Sequence, residues 1–307
     1  MALEFITDSL GKTIELLKKD FFSIFKGIFL IQFLATIVVL IGIGIAIAPY
    51  LLLGISAFGL AGPSLVGSAL IITIFAVIIL FVALFFSGVV NSVSYNFIDK
   101  KCKNEELDII AQIRVNIVPF FLYVIANILI TLVILGPFYV IYLIISLGTN
   151  FSGSPMLILA GSLIELVLRV IISIVAAILH LFIQFAIFEV IIARKGIVES
   201  FKRSIDIVKN NLLETFLFSL LLWAIISAVM MILLLVLVGI GIVIGLVLFG
   251  LGMIGASALS GVMYLIIPVG LVILAIVFLV LIIAIATLQN LIEITAQYNY
   301  WKLISKG

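Results

Sequence analysis

Charge is what this sequence has least of. Only 10% of its 307 residues are Asp, Glu, Lys or Arg, while 66% are hydrophobic. A soluble domain carries about a quarter charged residues and just under half apolar ones. With a mean hydropathy of +1.56, the chain cannot be held in water as a monomer, and hydrocarbon is its main solvent. Cysteine is nearly missing too. Cys102 stands alone, which excludes an intramolecular disulfide and argues against a metal cluster. His180 is the sole histidine, so a His-pair metal site is excluded. There is no HExxH, GxSxG, Walker loop, CxxC or Asp-rich phosphate–metal motif. No catalytic residue, cofactor or metal is therefore expected, although an enzyme is not excluded. The basic loops are short and mixed with acids, which speaks against nucleic acid as a partner.

What the sequence does have is long apolar runs. Spanning a ~30 Å hydrocarbon core takes about 20 apolar helical residues, and a backbone in lipid must satisfy its own polar groups by being helical. Six runs qualify, over residues 27–53, 65–93, 117–147, 156–192, 212–249 and 262–294. The fold class is therefore all-α integral membrane. The fourth and fifth runs are too long for a straight perpendicular helix. Gly161 in one, and Gly239, Gly241 and Gly245 in the other, are expected bends; splitting the long runs into eight spans is the alternative. The first ~25 residues are charged and amphipathic, unlike a cleavable signal peptide.

Fifteen of the sixteen Lys and Arg residues fall in four places. They precede the first run, lie between the second and third (Lys100, Lys101, Lys103, Arg114), lie between the fourth and fifth (Arg194, Lys195, Lys202, Arg203, Lys209), or follow the sixth. The alternate loops, around 54–64, 148–155 and 250–261, carry no charge. The positive-inside rule then puts both termini in the cytoplasm of a cell with the protein in its plasma membrane.

The chain also repeats itself. Residues 8–18 match residues 199–209 at an offset of 191, ten of eleven positions being identical or chemically alike. A degenerate middle copy sits at half that offset, where Ile110, Ile113, Arg114 and Asn116 match Ile14, Leu17, Lys18 and Asp20. The whole chain, 1–307, then reads as a single membrane domain of three parallel repeats, about 4–98, 104–193 and 196–300. Each is a cytoplasmic amphipathic helix followed by a transmembrane hairpin. Apolar residues at helical spacing (Ile6, Leu10, Ile14, Leu17, Phe21; and Ile197, Phe201, Ile205, Val208, Leu212) predict the buried faces. Asp8 with Lys12, and Glu199 with Arg203, are expected i,i+4 pairs. Such helices lie either in the membrane interface near anionic headgroups or against the bundle's own inner ends.

The stretch from Glu189 to Gly196, followed by Glu199, Ser200, Phe201, Lys202, Arg203, Ser204 and Lys209, resembles the segment after the fourth helix in the membrane domain of glycerophosphoryl diester phosphodiesterases. Related multi-pass bacterial and archaeal proteins share it. The exit from the last run, Tyr298-Asn299-Tyr300-Trp301-Lys302-Leu303, is similar to theirs. The resemblance implies a six-helix membrane domain and no reaction, since these residues include no phosphodiesterase catalytic domain.

Polar side chains inside the runs are the candidate functional groups, because intramembrane ionisable residues are costly. Glu165, Arg169, Ser173, His180 and Gln184 fall within about 100° of one another at 3.6 residues per turn. The plainer reading makes Glu165 and Arg169 a local pair near the outer headgroups, Arg169 lying about 37 Å from Arg194 by helical rise. His180 is then a neutral hydrogen-bonding group rather than a proton relay. Glu189, Glu214 and Glu293 lie near inner helix ends, either hydrated and salt-bridged or ringing a cation path. Asn91, Asn127, Gln32, Gln289 and Asn290 are expected interhelical partners. The function these features favour is a non-enzymatic domain that organises the bilayer or binds another membrane component. Its expected partners are the lipid bilayer, anionic lipid headgroups, a second copy, or a membrane-protein partner. The alternative is a transporter or channel with a polar path along the fourth helix.

Overall fold

The computed structural model describes the backbone of residues 2–57, 64–151, 154–258 and 263–305, and side chains within 4–48, 72–149, 151, 154–242, 245–246 and 274–305. The tips of the three charge-free loops fall largely outside them. Eight helices follow one another among the described residues: α1 Ala2–Ala57, α2 Ser64–Cys102, α3 Ile109–Phe151, α4 Pro155–Ile183, α5 Ala186–Ile191, α6 Ile197–Asn210, α7 Leu212–Ala258 and α8 Met263–Ile304. Six of these elements are long and apolar enough to cross a membrane. The chain is an integral membrane protein, and its apolar runs are helical because hydrocarbon offers their backbone no other partner.

The charged connections all gather at one end of the bundle, together with α5, α6 and the first part of α1. At that end α1 lies against the end of α8: Ser9 Oγ donates to the carbonyl of Ala296 at 3.3 Å, and the Asn299 amide donates to Thr13 Oγ1 at 3.0 Å. The buried core is concentrated there. Phe218 and Tyr300 stack with ring centroids 4.1 Å apart, Phe188 and Trp301 at 5.6 Å, and Tyr95 meets Phe188 edge-on at 5.1 Å. Towards the uncharged end fewer side chains are buried, although α1 and α2 stay close enough that a Cβ at Gly42 would overlap Ala83, and large side chains, Leu132, Val133, Leu166, Ile232 and Leu235 among them, are exposed on the protein.

Local chemistry sets where the helices break. Asp20 has non-helical angles (φ −129°, ψ 22°) and divides α1 into a short amphipathic part and the span. Asn211, 191 residues later, takes φ −129° and ψ 41° between α6 and α7. Its side-chain amide donates to the carbonyl of Ile207 at 3.0 Å, while its own carbonyl accepts from Thr215 at 2.8 Å. Asp and Asn compete with helical backbone bonds in this way. The third span differs from expectation. No separate amphipathic helix precedes it; α3 begins at Ile109, where Asp108 Oδ1 accepts the amides of Ile110 and Ala111 at 3.0 and 3.1 Å as an N-cap. At Asn116, the position matched to Asp20 and Asn211, the helix continues unbroken.

The expected bends also move. The fourth span breaks at Gln184 and Phe185, near the charged end, and not at Gly161. Gly161 is instead a close-approach site: a Cβ there would overlap the side chain of Thr149 on α3. The fifth span runs as the single helix α7 through Gly239, Gly241 and Gly245. The buried stripe of the amphipathic segments is rotated from its apolar residues. Ile14 is 53% exposed and its match Ile205 is 41% exposed, whereas Ser9 and Ser200 are wholly buried, with Thr13 and Ser204 beside them. Small hydroxyl side chains let these helices lie close to the bundle. Their hydrogens go to backbone carbonyls, Ser204 Oγ donating to Phe182 on α4 at 2.7 Å and Thr13 Oγ1 to Ser9 one turn back at 2.8 Å.

Candidate functional site

The two halves of the predicted polar stripe on α4 lead to different places. At the uncharged end, Glu165 accepts a hydrogen bond from Thr149 at 3.1 Å and lies 3.8 Å from Arg169. Arg169 Nε donates to the hydroxyl of Tyr142 at 3.2 Å, with its guanidinium 5.3 Å from that ring's centre. Together with Gly161, these groups clasp the α3–α4 hairpin. Twenty residues separate Arg169 from Glu189, about 30 Å of helix, which is one hydrocarbon thickness. Ser173 donates to the carbonyl of Arg169 at 2.8 Å.

His180 and Gln184 enter a cleft between α4, α7 and α8. Its volume is about 740 Å³, within the range of small-molecule sites. Ile174, Ile178, Leu220 and Trp223 supply apolar walls, and His180, Gln184, Ser219, Gln289, Glu293 and Gln297 supply polar groups. Gln184 and Ser219 hold each other at 3.4 Å across the cleft. Glu293 accepts one long bond, 3.4 Å, from Gln297 on the next turn. Among the described residues no Lys, Arg or His nitrogen comes within 4.0 Å of Glu293. The half-buried carboxyl group thus faces an amphipathic space without a direct ion pair among the described residues. Sequence reasoning had placed Glu293 among the carboxylates but not beside His180. Ser219 and Trp223, on the otherwise featureless α7, gave no signal.

The three carboxylates form no ring. Glu189 is 1% exposed and sits where α5, α6 and α8 meet. Its Oε1 accepts from Arg203 Nε at 3.2 Å and Trp301 Nε1 at 3.0 Å. Lys195 Nζ neutralises Oε2 at 2.8 Å without the angle of a hydrogen bond. Arg203 also donates to the carbonyl of Ser305 at 3.1 Å. Its partner is therefore Glu189 and not the expected Glu199, which stays exposed on α6 as does Lys209. Glu214 lies apart in the first turn of α7. Nearby, Arg194 adopts φ 55°, a left-handed conformation costing ~1–2 kcal/mol for a residue with a Cβ. Its guanidinium donates to Asn116 at 2.9 Å, and Asn116 in turn bonds Asn96 at 3.2 Å and Ser92 at 2.9 Å. Arg194 is exposed as a residue, yet partial desolvation lowers its pKa from the usual arginine value. Among the other expected interhelical partners, Asn91 has a buried Oδ1 with no hydrogen-bond donor. No cluster of three or more His, Cys, Asp or Glu able to hold a metal occurs among the described residues.

Residues 119–237, from within α3 to within α7, match a family model described as a domain of unknown function, DUF7847. The match takes in His180, Gln184, Glu189, α6 and Ser219 but stops short of α8. No curated protein and no solved structure matches the chain.

Proposed function

We propose that this protein is a non-enzymatic membrane domain that takes an amphiphile from the bilayer into the cleft between α4, α7 and α8. One observation carries the reading: a half-buried carboxylate and five polar side chains face a space whose remaining walls are apolar. Apolar clefts with a few convergent polar groups are the usual form of small-molecule sites. The tail would lie along Ile174, Ile178, Leu220 and Trp223, with the head at Gln184, Ser219 and Glu293. Native mass spectrometry of the purified protein and of Ser219→Trp, which fills the cleft, tests it. An amphiphile retained by the wild type and lost from the variant is the expected result. Equal retention by both would remove the cleft from the reading.

A transporter or channel is the second reading, favoured by His180 and Glu293 sharing that cleft. Proteoliposome flux abolished by Glu293→Gln is the result it requires.

The finer architecture belongs to the same proposal. Both termini face the cytoplasm across the plasma membrane, as supported by the gathering of basic residues at one end. Extracellular thiol labelling is then expected to miss Cys102 and to reach a cysteine placed at Ser152, which lies outside the described residues. The three parallel repeats are supported by the matched breaks at Asp20 and Asn211 and the matched burial of Ser9 with Ser200. The resemblance to phosphodiesterase membrane domains fits a bilayer-facing role, with lipids, a second copy or a membrane protein as partners.

A further inference from the structure

A second recess lies at the charged end, away from the cleft. Its volume is about 350 Å³, and three helices build it. Lys12, Glu15, Leu16 and Lys19 occupy one face of the amphipathic part of α1, at helical spacing. Cys102 closes the end of α2, and Asn299, Lys302 and Leu303 come from the end of α8. On α8, Asn299 and Lys302 project from roughly the opposite side to Glu293 and Gln297 at 3.6 residues per turn, so the two sites do not share a face.

Three lysines, Lys12, Lys19 and Lys302, line it against a single lining acid, Glu15. Lys12 is paired with Asp8 at 2.7 Å, but both side chains are about half exposed. Lys302 donates to the hydroxyl of Tyr298 at 3.2 Å, which in turn donates to Asp99 at 2.7 Å, so Lys302 has no direct ion pair. Lys19 is in no ion pair among the described residues. The contrast with α6 gives the recess its meaning. Lys12 matches Arg203 at the 191-residue offset, and Arg203 closes on the buried carboxylate of Glu189. Among the described residues, no buried carboxylate lies in the recess by Lys12. Cations drawn together in a concave, partly apolar site favour an anion in that place, and lysine binds phosphate as a point charge.

We propose that this recess binds an anionic phosphate group, presented either by an anionic phospholipid headgroup or by a soluble phosphate ester. The ligand takes the position that Glu189 holds beside Arg203, tying α1 to the ends of α2 and α8. Leu16 and Leu303 provide contact for the carbon atoms next to the phosphate.

Cys102, the only cysteine, lines the recess and reports on its occupancy. The experiment follows the rate of maleimide labelling of the full-length protein. One arm adds glycerol phosphate or inorganic phosphate in detergent, against sodium chloride of equal ionic strength to match screening. The other compares nanodiscs of phosphatidylglycerol with nanodiscs of phosphatidylcholine. Occupancy slows labelling as 1 + [L]/Kd, about tenfold at ten times Kd, and Lys19→Gln reverses most of that protection. Protection by the soluble ions identifies a soluble ester as sufficient. Protection only in phosphatidylglycerol identifies a headgroup. No slowing beyond the chloride control in either arm overturns the proposal, as does protection that persists undiminished in both Lys19→Gln and Lys12→Gln. Lys19 is exposed, so its variant is expected to fold.

Discussion

The charged end and the uncharged end of the bundle are built on different principles. At the charged end, aromatic rings stack, hydroxyls meet carbonyls, and Glu189 joins α5, α6 and α8 through Lys195, Arg203 and Trp301. At the other end, α3 and α4 hold by the Glu165–Arg169–Tyr142–Thr149 clasp and by close approach at Gly161, and α1 and α2 by close approach at Gly42, while many large side chains face outward. The first resembles a water-soluble core set at a membrane boundary. The second relies on lipid as a packing partner, since tails are as apolar as Leu and give helices no hydrophobic reason to associate. Stability is therefore expected to reside at the charged end, leaving the span between α4, α7 and α8 free to open.

That contrast is broken most directly by charging the core. Phe201 is buried on α6 and stacks on Tyr123 with centroids 5.8 Å apart. Phe201→Asp is expected to cost several kcal/mol, because the carboxylate would be desolvated without a partner, and to lower the melting temperature in detergent more than any other change here. The matched Leu10→Asp is expected to cost less, because Leu10 is only half-buried. Equal losses at both positions would mean that the two amphipathic segments are held alike.

Next comes Glu189→Gln. The amide keeps an acceptor for Trp301 but leaves Lys195 and Arg203 without their counter-charge. Removing one member of a buried pair costs about 3–5 kcal/mol, and less here, on the order of 2 kcal/mol, because Arg203 is 44% exposed. Thermal unfolding followed by Trp fluorescence checks it. An unchanged midpoint would show that the junction of α5, α6 and α8 does not depend on its charges. Gly161→Val should rank third. Overpacking commonly costs about 1–3 kcal/mol, but the thinly packed hairpin tip can separate from Thr149 and hold the loss near the lower bound. A midpoint shift larger than that of Glu189→Gln would reverse the ranking of the two ends.

The membrane helices were legible because apolar length and the charge-free loops leave hydrocarbon few alternatives. The pairing of charges was less so. Spacing on one helix suggested Glu199 for Arg203, yet the break at Gln184–Phe185 swings Glu189 into reach, and nothing in a run of apolar residues marks where such a break falls. Apolar periodicity also misjudged Ile14 and Ile205. The amphipathic segments bury serine and threonine because backbone proximity outweighs side-chain hydrophobicity once each hydroxyl has a carbonyl to bond. The cleft was half visible. His180, Gln184 and Glu293 were polar exceptions in apolar runs, but which helices face one another is a tertiary fact, and Ser219 and Trp223 differ little from ordinary membrane residues.

The smallest effect is expected from Arg169→Gln, and it separates the two readings of the α4 stripe. If Arg169 lies at the far boundary, about 30 Å from Glu189, its guanidinium already reaches water and headgroups; its side chain is 64% exposed, and Glu165 stands 3.8 Å away. An exposed pair of this kind contributes ~0–1 kcal/mol. Glu165 would still accept from Thr149 at 3.1 Å, and glutamine can still donate to Tyr142. The melting temperature should therefore move little more than in Lys202→Gln, an exposed control on α6, and amphiphile retention should be unchanged. A large loss of stability would place Arg169 in hydrocarbon, where its charge needs Glu165. A loss of ion flux in proteoliposomes, with stability intact, would instead join the two halves of the stripe into one path and favour the transporter over the binding domain.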